Sequence, residues 1–250
     1  MFLKRGLILV TFLGLVGIGC SSARVVGLKK SADFTYDNVY TGRLAVAGFT
    51  SSVEEMPKNQ KISYANMLKS EILEKQGSLS VGSTGMVQKK LGDKRYNQLM
   101  SEFEEMGTIN PSLLSNLKNN RPQRFLVFAR VESNDVEQDR DENTHYDKYG
   151  TPDYTTITSK ASRSMNVGVQ VYDLLKNEIS WQGTLTRTMT NSNDFRKEEE
   201  GGLVKLVKAI KGTQAVDKDA KYPYPAAPKA RVVLTQIFKG FAENLPEKED

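Results

Sequence analysis

The sequence predicts an α/β or α+β fold: a mixed β-sheet with helices packed on it, opening strand–helix–strand and ending in a long antiparallel hairpin. Three observations carry this. Two short runs, Leu44-Ala45-Val46-Ala47-Gly48-Phe49 and Phe125-Leu126-Val127-Phe128-Ala129, are almost wholly apolar, as strands buried on both faces are. Between 165 and 189 apolar and polar residues alternate: Met165, Val167, Val169 and Val171, then Ile179, Trp181, Leu185 and Met189. A polar break at Lys176-Asn177 divides this stretch into the two strands of a hairpin whose outer face is Thr, Ser, Gln and Asn. Several segments repeat apolar residues at helical spacing.

The first buried strand, within 43–49, leads into a polar loop with Pro57. Ser63 is placed to cap a helix with Tyr64, Met67, Leu68 and Ile72 on one stripe, and Gly77 ends it. Leu79-Ser80-Val81 then makes a short strand, completing a unit whose crossover should be right-handed. Gly82-Ser83-Thr84-Gly85 lacks the spacing and lysine of a phosphate loop and reads as a turn. Asp93 caps a helix bearing Tyr96, Leu99, Met100, Phe103 and Met106, closed by Gly107. Asn110-Pro111 opens another with Leu113, Leu114 and Leu117, and Arg121-Pro122 stops it. The second buried strand is followed by 132–161, expected as a solvated hairpin extension, and then by the hairpin. A helix with Leu203, Val204, Leu206, Val207 and Ile210 comes next. Tyr222-Pro223-Tyr224-Pro225 is extended, and the strongest helix carries Ala230, Val233, Leu234, Ile237, Phe238, Phe241 and Leu245, stopping at Pro246.

Composition narrows the function classes. The net charge of +5 is spread along 250 residues and interleaved with acids, with no basic stripe carrying aromatics, so nucleic acid is excluded as a partner. The single cysteine permits no intramolecular disulfide. The single histidine, His145, has no His or Cys companion for zinc. Asp139, Asp141 and Asn143 have the first spacings of a calcium loop, but Thr144 stands where Gly is needed and Gly150 where Glu is needed. No nucleophile-elbow, zinc-protease or phosphate-loop motif is present. The expectation is a non-enzyme with no catalytic residue, metal or cofactor. A carboxylate pair assembled by folding is the one catalytic arrangement left open.

The candidate contact surface lies in 135–154. Its first half is acidic: Asp135, Glu137, Asp139, Asp141, Glu142. Its second half holds Tyr146, Tyr149, Pro152 and Tyr154, and exposed aromatics are enriched at interfaces. Long loops without structure are usually functional or disordered. These three tyrosines are therefore the candidate partner-binding residues.

At the amino terminus Lys4-Arg5 precede an apolar run over 6–19 and then Cys20. This is the pattern of a secretory signal, a little short for a spanning helix of about 20 residues. Gly17-Ile18-Gly19-Cys20 resembles the lipobox of bacterial lipoproteins, departing from it by Gly17 where Leu is usual. The resemblance implies cleavage before Cys20, acylation of its thiol and amino terminus, and, from Ser21 and Ser22, an outer-membrane destination. The expected organisation is a signal peptide over 1–19, a lipidated amino terminus and short linker over 20–41, one periplasmic domain over 42–245 and a charged tail over 246–250. A coil of that linker's length would reach about 25 Å on average.

The element order resembles the periplasmic domain shared by curli-export lipoproteins, penicillin-binding-protein activator lipoproteins and the TolB amino-terminal domain. The likeness rests on the strand ending in Gly48-Phe49, the strand beginning at Phe125, and Val169-Gln170-Val171-Tyr172-Asp173 followed by Ile179-Ser180-Trp181-Gln182-Gly183. The closing Asn244-Leu245-Pro246 also fits. It implies an outer-membrane-anchored, non-enzymatic module that binds other envelope proteins, partnered by lipid through acylated Cys20. The alternative it implies is a homo-oligomeric subunit of a curli-type secretion channel.

Overall fold

The computed structural model describes residues 23–117, 123–198 and 218–248. Six strands form one mixed sheet: β1 (Arg24–Lys30), β2 (Leu44–Ser51), β3 (Val81–Gly82), β4 (Phe125–Tyr146), β5 (Pro152–Asp173) and β6 (Glu178–Glu198). Their order across the sheet is β1-β6-β5-β4-β2-β3. β2 runs parallel to β3 and β4, and the other pairings are antiparallel. The expected fold class is thus the observed one. Among the described residues the helices are α1 (Tyr36–Gly42), α2 (Lys58–Lys75), α3 (Thr84–Leu91), α4 (Asp93–Met106), α5 (Lys218–Lys221) and α6 (Ala230–Glu243), with a 3-10 turn at Pro111–Leu117.

Side-chain alternation splits the core into two layers. Leu44, Val46, Phe125, Val127, Val169, Val171 and Trp181 face α2 and α6. Ala45, Ala47, Leu126 and Phe128 face α3 and α4. All eight residues of β2 are buried, as its unbroken apolar run requires. Trp181 is fully buried and meets Phe241 edge-to-face, with ring centroids 5.1 Å apart. The α6 stripe of Val233, Leu234, Ile237, Phe238 and Phe241 is buried throughout. On β5 and β6 the opposite face is mostly polar, but Tyr172 joins the α3–α4 layer and the Gln170 side chain donates to the Gly107 carbonyl at the end of α4 at 2.8 Å.

Several local expectations change. The segment 24–41 is not a linker: β1 pairs with β6, and α1 buries Val39 in the core. Its capping chemistry was legible, since the Thr35 hydroxyl accepts from the Asn38 amide. α2 starts at Lys58, five residues before Ser63, because Pro57 suits a helix entry and leaves no reason to wait for a hydroxyl cap. Gly82-Ser83-Thr84-Gly85 is a strand-to-helix junction, not a plain turn, and the Thr84 hydroxyl donates to the Val46 carbonyl at 3.1 Å. Ile179 is exposed, because a bulge shifts the register between Val171 and Tyr172 and turns it off the face of Trp181. Met106 is exposed, while Tyr96, Leu99 and Phe103 are buried and Gly107 closes α4 at φ 68. The helix expected around Leu203 to Ile210, the stop at Arg121-Pro122, and Cys20 lie outside the described residues.

One ion pair, its carboxylate fully buried, ties β4 and β5 to α1. The Arg124 guanidinium donates to both carboxylate oxygens of Asp173, at 2.7–3.1 Å, and to the Asn38 side chain at 3.0 Å. Asp173 is fully buried and also accepts from the amides of Leu175 and Lys176. Removing one partner strands the other charge in the interior. Arg124→Met should therefore cost about 3–5 kcal/mol in urea unfolding. Arg124→Met with Asp173→Leu should recover part of that loss, and a single mutant within about 0.5 kcal/mol of the parent would show that the pair is not a tie.

Candidate functional site

β4, β5 and β6 are far longer than the core they cross. β2 pairs with β4 only as far as Val131, and β1 pairs with β6 only from Arg24 at Thr186 onward. Beyond those points the three strands continue as an arm, roughly 50 Å long at about 3.4 Å per residue. Their register is continuous from Ser133 opposite Asn166 to His145 opposite Tyr154, with β6 following on the other side. The segment 135–154 is therefore two paired strands and a five-residue turn, the hairpin extension expected there, and not an unstructured loop. The signal was present: Asp135, Glu137, Asp139 and Asp141 recur every second residue. That is strand periodicity written in charge rather than in apolar residues.

The two faces of the arm differ. On one face Thr155, Ile157, Ser159, Ala161 and Met165 of β5 are buried. The chain before α6 crosses this face and is bonded to it. Arg140 donates to the Tyr222 carbonyl at 2.7 Å and to Asp219, Ser159 to the same carbonyl, and Arg163 to the Pro228 carbonyl at 2.7 Å. The Arg140 guanidinium lies 4.5 Å from the Tyr224 ring centre. The other face is open and polar. Ser162 pairs with Thr190, Thr188 with Ser164, and Thr158 with Asp194 across the strands. Such cross-strand pairs support a sheet face on which no described element packs. Along β4 this open face carries the four acids as a single row. Lys160 pairs with Asp141, which raises the ammonium pKa through the hydrogen bond. Asp139, Asp141 and Asn143 lie on an extended strand and so cannot wrap an ion. Among the described residues no group of three His, Cys, Asp or Glu could hold a metal.

The tip is a built turn. The Asp147 carboxylate accepts from the amides of Tyr149 and Thr151, both at 2.8 Å, and Gly150 takes φ 80. This presents Tyr146 at 64% and Tyr149 at 79% exposure. Tyr154 is placed differently. Its ring stacks on His145, centroids 4.3 Å apart, with the Arg196 guanidinium 3.9 Å from its centre. The structure thus brings Tyr146 and Tyr149 together at the tip and packs Tyr154 into the arm.

A second concavity, of about 330 Å³, lies at the carboxyl ends of β2 and β3. There α2 leaves to one face of the sheet and α3 to the other, the topological position where open sheets form crevices. Phe49, Met56, Met100 and Tyr96 line it, and the Lys61–Glu104 ion pair borders it. The Tyr96 hydroxyl donates to the Ala47 carbonyl at 3.0 Å, and burial raises its pKa. Its polar groups are largely satisfied within the protein, so the arm is the stronger candidate.

No family model matches the chain, and no curated protein matches its sequence. Solved structures do match over much of its length. The PelC dodecamer from Paraburkholderia phytofirmans is 9% identical, with 90% of this chain and 99% of that chain covered at a TM-score of 0.37. Lipoprotein GNA1162 from Neisseria meningitidis is 11% identical, covering 68% and 94% at 0.31. The LpoB C-terminal domain from Salmonella enterica is 12% identical, covering 63% and 83% at 0.27. At these identities and scores the likeness is distant, and no function or residue role passes from it to this chain. Among the described residues no helix is long and apolar enough to cross a membrane.

The geometry separates the three tyrosines by experiment. Tyr146→Ala with Tyr149→Ala should leave stability within about 0.5 kcal/mol, as exposed positions do. On the expectation that the tip is a contact surface, the same pair should reduce the protein's capture of other proteins in crosslinked extracts. Tyr154→Ala should lower stability by about 0.5–1.5 kcal/mol through the lost ring contacts. Full capture by the double mutant would refute the tip as a contact surface.

Proposed function

We propose that this chain is an outer-membrane lipoprotein, anchored through acylated Cys20, whose periplasmic domain is a non-enzymatic module binding other envelope proteins. The arm supports this reading: it is a long, polar, strand-paired projection ending in two exposed tyrosines. The partner is expected to be basic where it meets the acidic row of β4 and to offer a groove for the aromatic tip. The anchor rests on the export signal ending at Cys20. Cys20→Ala should abolish acyl labelling and leave uncleaved precursor. A processed mutant that still fractionates with the outer membrane would place the anchor elsewhere.

One observation favours the second reading, a subunit of an oligomeric secretion channel. Past Val131 no described strand pairs with the outer edge of β4, and strand edges are templates for a neighbouring chain. A channel must close into a ring. A single protomer mass in detergent at micromolar concentration would exclude it, and a closed ring would displace the adaptor reading.

A further inference from the structure

The clamp on the amino terminus leaves almost no tether. Ala23 is buried against α6, where a Cβ on Gly240 would stand 2.9–3.2 Å from the Ala23 Cβ, amide nitrogen and carbonyl oxygen. Any larger residue at position 240 would push the chain off the helix. Only Ser21 and Ser22 separate Cys20 from this clamp. Fully extended, that distance is about 11 Å at most, at roughly 3.6 Å per residue.

β1 follows at once, on the outer edge of the sheet. Gly27 takes φ 66, and the register with β6 slips between Val26 and Lys29. That irregularity leaves Val26 and Leu28 each 49% exposed. Arg24, Lys29 and Lys30 flank them and are exposed as well. An apolar pair on an open edge strand is a liability unless something covers it. Apolar side chains bordered by cations are the chemistry of a bilayer surface, where the former enter the headgroup layer and the latter meet phosphates.

We propose that β1 is a second membrane contact of this protein: Val26 and Leu28 enter the headgroup layer of the anchoring bilayer, and Arg24, Lys29 and Lys30 meet its phosphates. The inference rests on acylation at Cys20, which sets the bilayer within reach of β1. It holds the domain flush with the membrane. Because Arg24 pairs with Thr186, where β6 leaves the core, the anchor also stands at the root of the arm rather than at its tip.

The test uses the mature acylated protein in vesicles of phosphatidylethanolamine and phosphatidylglycerol. An environment-sensitive dye is placed on Leu28→Cys, or on Lys94→Cys as the control. Lys94 is exposed on α4, over the other half of the sheet. Lipid carrying a headgroup spin label should quench the Leu28 dye several-fold more than the Lys94 dye. Equal quenching overturns the proposal. So does a Leu28 dye shielded from water but not quenched by lipid, with crosslinks between Leu28→Cys copies, which would assign the edge to a second copy of the chain. Intact mass of the same sample reports acylation separately. A sample without acyl groups refutes the anchor, whereas an acylated sample with equal quenching refutes only the β1 contact.

Discussion

The Arg124–Asp173 pair is the contact on which the arrangement of the sheet depends. Arg124 immediately precedes β4, and Asp173 ends β5. Their side chains meet in the interior, and the main chain repeats the tie: the Arg124 amide donates to Gly42 and its carbonyl accepts from Leu174. The guanidinium reaches on to Asn38 in α1. One partly buried cation therefore joins the first helix, the start of the central strand and the turn into the late hairpin. A charge in the interior is tolerated only when every hydrogen-bonding position is met. Asp173 meets that condition with three contacts from Arg124 and two backbone amides. Near the pair, Arg43 adopts φ 61, a conformation costing about 1–3 kcal/mol outside glycine. Bonds from its amide to Val39 and to its carbonyl from Phe125 hold it there.

With the root of the hairpin fixed, the sheet is free to be asymmetric. Among the described residues, helices pack on both faces over β2 and the first part of β4, and Tyr172 of β5 joins the second of these layers. Over β5 and β6 one face packs on α6 and the other carries Thr, Ser, Asn and Gln. The same face pattern continues unbroken into the arm, so no new principle is needed to extend it. What the arm requires is a second-side support, and the chain crossing from Asp219 to Pro228 provides it through Arg140, Ser159 and Arg163. The arm is thus a continuation of the core sheet whose covered face is held by carbonyl-directed hydrogen bonds instead of by a helix.

Much of this was determined by the sequence alone. The buried strands β2 and β4, the core position of Trp181, the closure of α4 at Gly107 and the stripe of α6 follow from apolar spacing. Burial of these residues depends mostly on local periodicity, and periodicity is written in the chain. The apolar run over 6–19 and the cysteine that follows it are likewise local patterns. The tertiary structure decided what depends on partners distant in sequence. Segment 24–41 has weak local signals and becomes β1 and α1 only because β6 offers an edge and Arg124 a charge. The acids from Asp135 to Asp141 read as solvated loop because charge usually marks one; a neighbouring strand of threonines and serines made them a row on a sheet. Tyr146, Tyr149 and Tyr154 look alike in sequence, yet the turn built on Asp147 exposes the first two, while His145 and Arg196 enclose the third. Register across strands decides such differences, and no single strand contains it.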